Sequence, residues 1–158
     1  MAEVLCAGDT QCLALAKHRL TAVNVRKMFA ADRELFALMQ DADLQRRMGE
    51  LAKGIDPQRQ LPALTVDAQV YDRIPEIAHV LRRHQISGRE YAVTHAVAMV
   101  TAMTDVTLAH EAQHGGRKEV PPELMTQGLK FWRSMDSTLK AEAEAWKKMW
   151  GYDRDISR

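Results

Sequence analysis

The feature that most constrains this fold is a long segment almost without charge in an otherwise charged chain. Residues 91–108 contain a single charged side chain, that of Asp105. Just before this segment, Ser87 and Glu90 form an S-x-x-E capping box, which is typical of the start of a helix. We therefore predict a helix over about 88–114 that ends at a pair of glycines. A helix that is apolar on nearly all sides is typical of a buried core helix.

The same segment is nearly long enough to cross a membrane, which takes about 20 apolar residues. However, it also contains four threonines, His95 and Asp105, and such polar groups are costly within lipid. No other segment of the chain is apolar and long enough to accompany it. We therefore predict the central helix of a soluble protein, with no membrane span.

Apolar residues recur at three- and four-residue steps on both sides of this segment, which is the period of amphipathic helices. The pattern predicts a first helix over about 11–40, in which Asp32 marks a candidate interruption, and a last helix over about 120–150. Shorter helices are predicted at about 43–51 and 75–84, and a helical turn is predicted at 65–70. Short loops favour antiparallel neighbours. The predicted fold is therefore all-α: one domain over residues 1–158, a small antiparallel bundle of about five helices around the buried central helix.

The two ends of the chain, residues 1–8 and 152–158, are predicted to be a flexible leader and tail. The only cysteines, Cys6 and Cys12, have a spacing that fits no common zinc or thioredoxin-type motif. They could close a small disulfide loop, which would favour an oxidising compartment, and two free thiols are the alternative. We expect the mature form of a periplasmic or secreted protein, with a cytoplasmic protein as the alternative.

The charge balance argues against nucleic acid as a partner. The chain has 22 Lys and Arg against 21 Asp and Glu, a net charge of +1. Such a chain has no long-range field to attract a polyanion. Its short basic clusters, such as Arg46 with Arg47, lie beside acids and are typical of a solvated helix face.

The sharpest motif is His110-Glu111-Ala112-Gln113-His114, which matches H-E-x-x-H. In this respect the chain resembles zinc peptidases of the zincin class. The resemblance implies that His110 and His114 bind zinc and that Glu111 is the general base. Zincins also have a β-sheet and a third ligand, and the sequence shows neither. The alternative is a polar helix end, where histidine is favoured by the helix dipole.

A second candidate site combines two neighbouring predicted helices. His79 lies eight residues before Ser87 and His95 eight residues after it, so the two should lie level across a helical hairpin. Met99 follows His95 by one helical turn. Histidine and methionine are both usable metal or haem ligands. The alternative is a buried His95 that forms a hydrogen bond to a neighbour or to Thr94.

These observations favour a non-enzymatic binding or protein-interaction module, which could bind a small ligand, a metal, another helical protein or a second copy of the chain. A zinc-dependent hydrolase that uses the H-E-x-x-H motif is the first alternative. A metal or haem carrier is the second. No nucleophile motif, phosphate-binding loop or dinucleotide-binding pattern is present in the sequence.

Overall fold

The computed structural model describes residues 15–115 and 123–154, with the backbone alone for residues 123–125. Within these ranges every regular element is helical and no strand occurs, so the prediction of an all-helical chain is confirmed. Residues 15–17 are helical. Seven longer helices follow: α1 (Ala22–Leu38), α2 (Ala42–Ile55), α3 (Ala63–Arg73), α4 (Pro75–Arg83), α5 (Gly88–His114), α6 (Glu123–Ser134) and α7 (Ser137–Trp150).

This part of the chain alone contains more than the predicted five helices, because two long predicted helices are each divided. The predicted helix over 11–40 is broken at residues 18–21 and not at Asp32, which lies inside α1. The oxygen Oγ1 of Thr21 accepts a hydrogen bond from the amide of Asn24 at 3.2 Å. The side chain of Asn24 in turn accepts from the amide of Thr21 at 2.8 Å. This reciprocal cap stabilises a new helix start at the break.

The predicted helix over 120–150 is divided in the same way, at Met135 and Asp136. The oxygen Oδ1 of Asp136 accepts a hydrogen bond from the amide of Leu139 at 2.8 Å, which caps α7. Aspartate is favoured at a helix start because its carboxylate satisfies a first-turn amide that has no partner in the helix. The sequence-based prediction missed this cap because the apolar period continues across it.

Helix α5 has the predicted bounds. The oxygen Oγ of Ser87 accepts from the amide of Glu90 at 3.1 Å, and the helix ends at Gly115, whose φ of 70° is left-handed. The buried residues of α5 all lie within 88–102. The side chains beyond this stretch are partly or fully exposed, so the prediction of burial is confirmed for the first half and wrong for the second.

Helix α5 is also the one helix among the described residues that could cross a membrane by its length and composition. Its most apolar window has a mean hydropathy of 1.3, and 33% of that window is buried within the protein. The core helix of a soluble protein meets the same criterion, so this finding does not separate the two interpretations.

The core lies between α1, α4, α5 and α7. The largest fully buried apolar side chains are Met28, Phe29, Leu35, Ile77, Leu81 and Leu139. Helix α3 crosses the start of α5 so closely that a Cβ atom on Gly88 would lie 2.8 Å from the carbonyl oxygen of Ala68. Helix α6 approaches α5 at Gly128, where a Cβ atom would lie 2.5 Å from Oγ1 of Thr101. The two glycines therefore permit two close helix contacts along α5.

Candidate functional site

A polar network centred on Asp32 lies in the core. The carboxylate of Asp32 is fully buried. Its Oδ1 accepts a hydrogen bond from the Tyr91 hydroxyl at 2.5 Å, and its Oδ2 accepts one from Nε1 of Trp146 at 2.5 Å. The three residues come from α1, α5 and α7, so one carboxylate joins three helices. A buried carboxylate is tolerated only when such partners replace its hydration.

His95 extends this network towards the C-terminal end of the described chain. Its Nδ1 lies 3.2 Å from Oδ2 of Asp32, in a geometry that leaves Nδ1 without a hydrogen bond. Its Nε2 lies 3.0 Å from the hydroxyl of Tyr152. The ring of His95 also contacts Trp146 and Trp150, with centroids 5.4 and 5.2 Å away. Tyr152, which the sequence placed in a flexible tail, therefore packs on the core.

The hydroxyls of the two tyrosines in the network, Tyr91 and Tyr152, remain protonated over the physiological pH range. Burial, reinforced by the carboxylate of Asp32, raises the pKa of Tyr91 well above its usual value. The same two causes raise the pKa of Tyr152. The network is consistent with the structural alternative for His95, a buried histidine bonded to its neighbours.

The structure places the residues of the predicted metal or haem pocket in different surroundings. His79 is exposed on α4, whereas the side chain of His95 is only 16% exposed and Met99 is partly buried. No hydrogen bond or ring contact joins His79 to His95 within the described chain. A pocket that uses both histidines gains no support from this placement.

The H-E-x-x-H motif lies at the C-terminal end of α5. The rings of His110 and His114 stack with centroids 4.1 Å apart, and Nδ1 of His114 lies 3.0 Å from the carbonyl oxygen of His110. The oxygen Oε2 of Glu111 is shielded from solvent and makes no hydrogen bond. No group of three histidine, cysteine or acidic side chains that could hold a metal ion occurs among residues 15–115 and 123–154. In this part of the chain the donor set lacks the third ligand of a catalytic zinc site.

We therefore expect untagged protein, expressed with ample zinc and then dialysed, to retain far less than one equivalent of zinc. Two histidines on an exposed helix end bind zinc weakly without further ligands. Elemental analysis measures the content, and a His110→Ala, His114→Ala double variant is the control. One equivalent in the native protein that disappears in the double variant would contradict this expectation.

The disulfide candidates Cys6 and Cys12 lie outside the described residues, as do the predicted leader over 1–8 and the last four residues of the predicted tail.

The segment before α1 lines a groove on the surface of the bundle. Two cavities of about 440 and 280 Å³ share Lys17 and His18 in their walls. The other lining residues of the larger cavity are Ser87, Arg89, Glu90 and Val93. Those of the smaller cavity are Ala16, Arg19, Val97, Gln127 and Gly128. We call this pair of cavities the Lys17–His18 groove.

His18 connects this groove to the core. Its Nε2 lies 2.9 Å from Oγ1 of Thr94, which is fully buried in α5. Burial lowers the pKa of His18, and the negative charge of Glu90 opposes that effect. His18 is therefore mainly neutral at neutral pH. The sequence-based prediction missed His18 because no motif surrounds it and because the expected helix ran through it.

A further cavity of about 330 Å³ lies beside the loop between α2 and α3. Its walls carry two cations, Lys53 and Arg59, and two acids, Asp56 and Asp67. Burial raises the pKa of Asp67. Because its two cations and two acids balance, this cavity has no clear preference for a charged ligand. It therefore serves below as a control site for ligand binding in the Lys17–His18 groove.

Comparison of the chain with protein-family models, with curated proteins and with solved structures finds no match.

Proposed function

We propose that this protein is a non-enzymatic binding module, an antiparallel helical bundle whose ligand site is the Lys17–His18 groove. The observation that carries this proposal is that two adjoining cavities share Lys17 and His18 in their walls. The larger cavity, of about 440 Å³, lies within the range of small-molecule sites, about 300–1,000 Å³, and the adjoining cavity adds about 280 Å³. Two valines and seven polar or charged side chains are among the described lining residues, so the groove offers both apolar and charged contacts to a ligand.

The hydroxyl groups near the groove favour binding over catalysis. The oxygen Oγ of Ser87 accepts a hydrogen bond from the amide of Glu90 and so caps α5. The hydroxyl of Thr94 is the partner of His18, but it is fully buried and out of reach of a substrate. A nucleophile must contact both its base and the substrate. Neither hydroxyl satisfies this requirement.

A fragment screen followed by NMR tests the proposal. We expect ligands from a library of small neutral and charged fragments to shift the methyl signals of Val93 and Val97 and the ring signals of His18. Val93→Phe should fill the groove and abolish these shifts. Val66→Phe, which places the same side chain in the cavity beside the α2–α3 loop, should leave them unchanged. Hits confined to other surfaces, or shifts that persist in folded Val93→Phe protein, would overturn the proposal.

We also propose that the protein is exported and that Cys6 and Cys12 form a disulfide. This proposal is supported by the sequence: Cys6 and Cys12 are the only cysteines of the chain, and they lie six residues apart. We expect no free thiol when protein isolated under oxidising, non-reducing conditions is denatured and titrated with a thiol reagent. The same protein after reduction, with two thiols expected, is the control. Two free thiols before reduction would argue for the cytoplasmic alternative.

A further inference from the structure

The walls of the Lys17–His18 groove carry more positive than negative charge. Lys17, Arg19 and Arg89 are cationic, Glu90 is the one acid among the described lining residues, and His18 is titratable. Gln127, which α6 contributes to the groove, is neutral. The whole chain, by contrast, has a net charge of only +1. The excess of positive charge is therefore a local property of this groove.

The arginines of the groove also differ from most others in the described chain. Six arginines form ion pairs with carboxylates: Arg26, Arg33, Arg46, Arg47, Arg83 and Arg133. Arg19 and Arg89 form no ion pair within residues 15–115 and 123–154, and both are exposed. Their charges are available to an anionic group that enters the groove.

An apolar strip lies beside these charges. Val93 and Val97 are one turn apart on α5, and each lines one of the two cavities. Gly128 of α6, which approaches Thr101 of α5 closely, lines the smaller cavity together with Val97. A ligand that spans both cavities therefore meets cations at the rim and valines along the wall.

We propose that the Lys17–His18 groove binds an organic anion, a carboxylate whose aliphatic body lies on Val93 and Val97. This inference rests on the proposed function and adds the chemical class of the ligand. Exposed ion pairs contribute about 0.2–1 kcal/mol each, so the carboxylate gives preference for an anion. The aliphatic body adds an apolar contribution by covering the surface that remains exposed on the two valines, 9% for Val93 and 5% for Val97.

Binding of an anion is coupled to protonation of His18. Thr94 of α5 contacts this ring, and the charged and amide groups that line the two cavities with it are Lys17 and Arg19 from its own segment, Arg89 and Glu90 from α5, and the neutral Gln127 from α6. Burial lowers the pKa of free His18, and a bound carboxylate raises it again because it stabilises the imidazolium. Binding therefore takes up a proton, and affinity rises as pH falls through the interval between the two pKa values.

The probe series is hexanoate, 1-hexanol and hexylammonium, three ligands with the same aliphatic body and different head groups. NMR titration at low salt should rank their affinities in that order. Arg89→Gln should weaken hexanoate by about two- to fivefold, the equivalent of one exposed ion pair. Arg82→Gln should leave hexanoate binding unchanged, because this exposed arginine on α4 lies outside the groove and forms no ion pair with any described residue.

The pH dependence of hexanoate binding is measured on the native protein, so the result does not depend on whether a variant folds. As the pH falls below about 6.5, the ordinary pKa of histidine, hexanoate should bind progressively more tightly. The ring signals of His18 should titrate at a higher pH with hexanoate than without it. His18→Gln, which retains a polar partner for Thr94, should bind hexanoate without this dependence on pH.

The possible outcomes separate this inference from the proposed function. If 1-hexanol binds in the groove as tightly as hexanoate, or if Arg82→Gln weakens binding as much as Arg89→Gln, the anion inference is overturned while the groove remains a ligand site. If inorganic phosphate binds as tightly as hexanoate, the role of the apolar body is overturned. If neither these probes nor the fragment library shifts any signal of the groove, both proposals fail.

Discussion

Replacing Asp32 with alanine should destabilise the protein by about 3–5 kcal/mol, the largest effect that we expect from a single substitution. The carboxylate is fully buried and accepts hydrogen bonds from Tyr91 and Trp146 at 2.5 Å. Its removal leaves two buried donors without acceptors, and each unsatisfied group costs about 1–3 kcal/mol. The cavity left by the carboxylate adds to this cost.

Urea denaturation, monitored by far-UV circular dichroism, measures the loss in free energy of unfolding. Asp32→Asn keeps one carbonyl acceptor, so it should destabilise the protein less than Asp32→Ala. The double variant Asp32→Leu, Tyr91→Phe removes one of the stranded donors and should recover part of the stability. Asp43→Ala, at an exposed aspartate in the first turn of α2, is the matched surface control and should change stability far less. A loss below about 1 kcal/mol for Asp32→Ala would show that the carboxylate is not buried in this network.

The same aspartate shows where prediction from the sequence reached its limit. Asp32 stands within an apolar stripe, and the sequence marked it only as a candidate interruption of a helix. Its partners Tyr91 and Trp146 are 59 and 114 residues away along the chain. A helical period shows that a polar residue lies on a buried face, but it does not show which distant donors meet it there. The carboxylate therefore lies inside an unbroken helix because tertiary partners satisfy it.

Two helix starts were predicted correctly from local sequence signals. The start of α5 at Ser87 and that of α4 at Pro75 depend on side chains within one turn of the helix terminus, so the sequence alone was sufficient. The breaks before Ala22 and Ser137 were missed, although they also depend on capping residues. Each lies within a continuing apolar period, which was given more weight than the cap.

The candidate site could not be predicted for a similar reason. The Lys17–His18 groove exists because the chain leaves helical geometry after residue 17, which brings His18 to within 2.9 Å of Thr94. This contact joins residues 76 positions apart. The H-E-x-x-H motif, by contrast, consists of five consecutive residues, so it can be found from the sequence alone. A zinc site also needs a third ligand from elsewhere in the fold, and no local pattern supplies one.

Alanine at two glycines should have opposite effects, because one glycine is at a close helix contact and the other is on an open helix surface. A Cβ atom at Gly88 would lie 2.8 Å from the carbonyl oxygen of Ala68 and would also clash with the carboxylate of Asp72. The carbonyl is part of helix α3 and cannot turn away as a side chain can. We expect α3 and α5 to move apart and the protein to lose about 1–3 kcal/mol.

At Gly49, in the exposed middle of α2, an added Cβ atom meets nothing within 4 Å. Here alanine should stabilise the protein by up to about 1 kcal/mol, because glycine loses more backbone entropy in a helix. Thermal denaturation of the two variants and the native protein measures both changes in stability, and about 1 kcal/mol corresponds to a shift of about 2–4 °C in Tm.

The amide of Gly88 also donates to Oδ1 of Asp72 at 3.2 Å, so Asp72→Ala should remove this hydrogen bond and one of the two clashes. If Gly88→Ala raised Tm as Gly49→Ala should, helices α3 and α5 would have to lie farther apart than the structure places them.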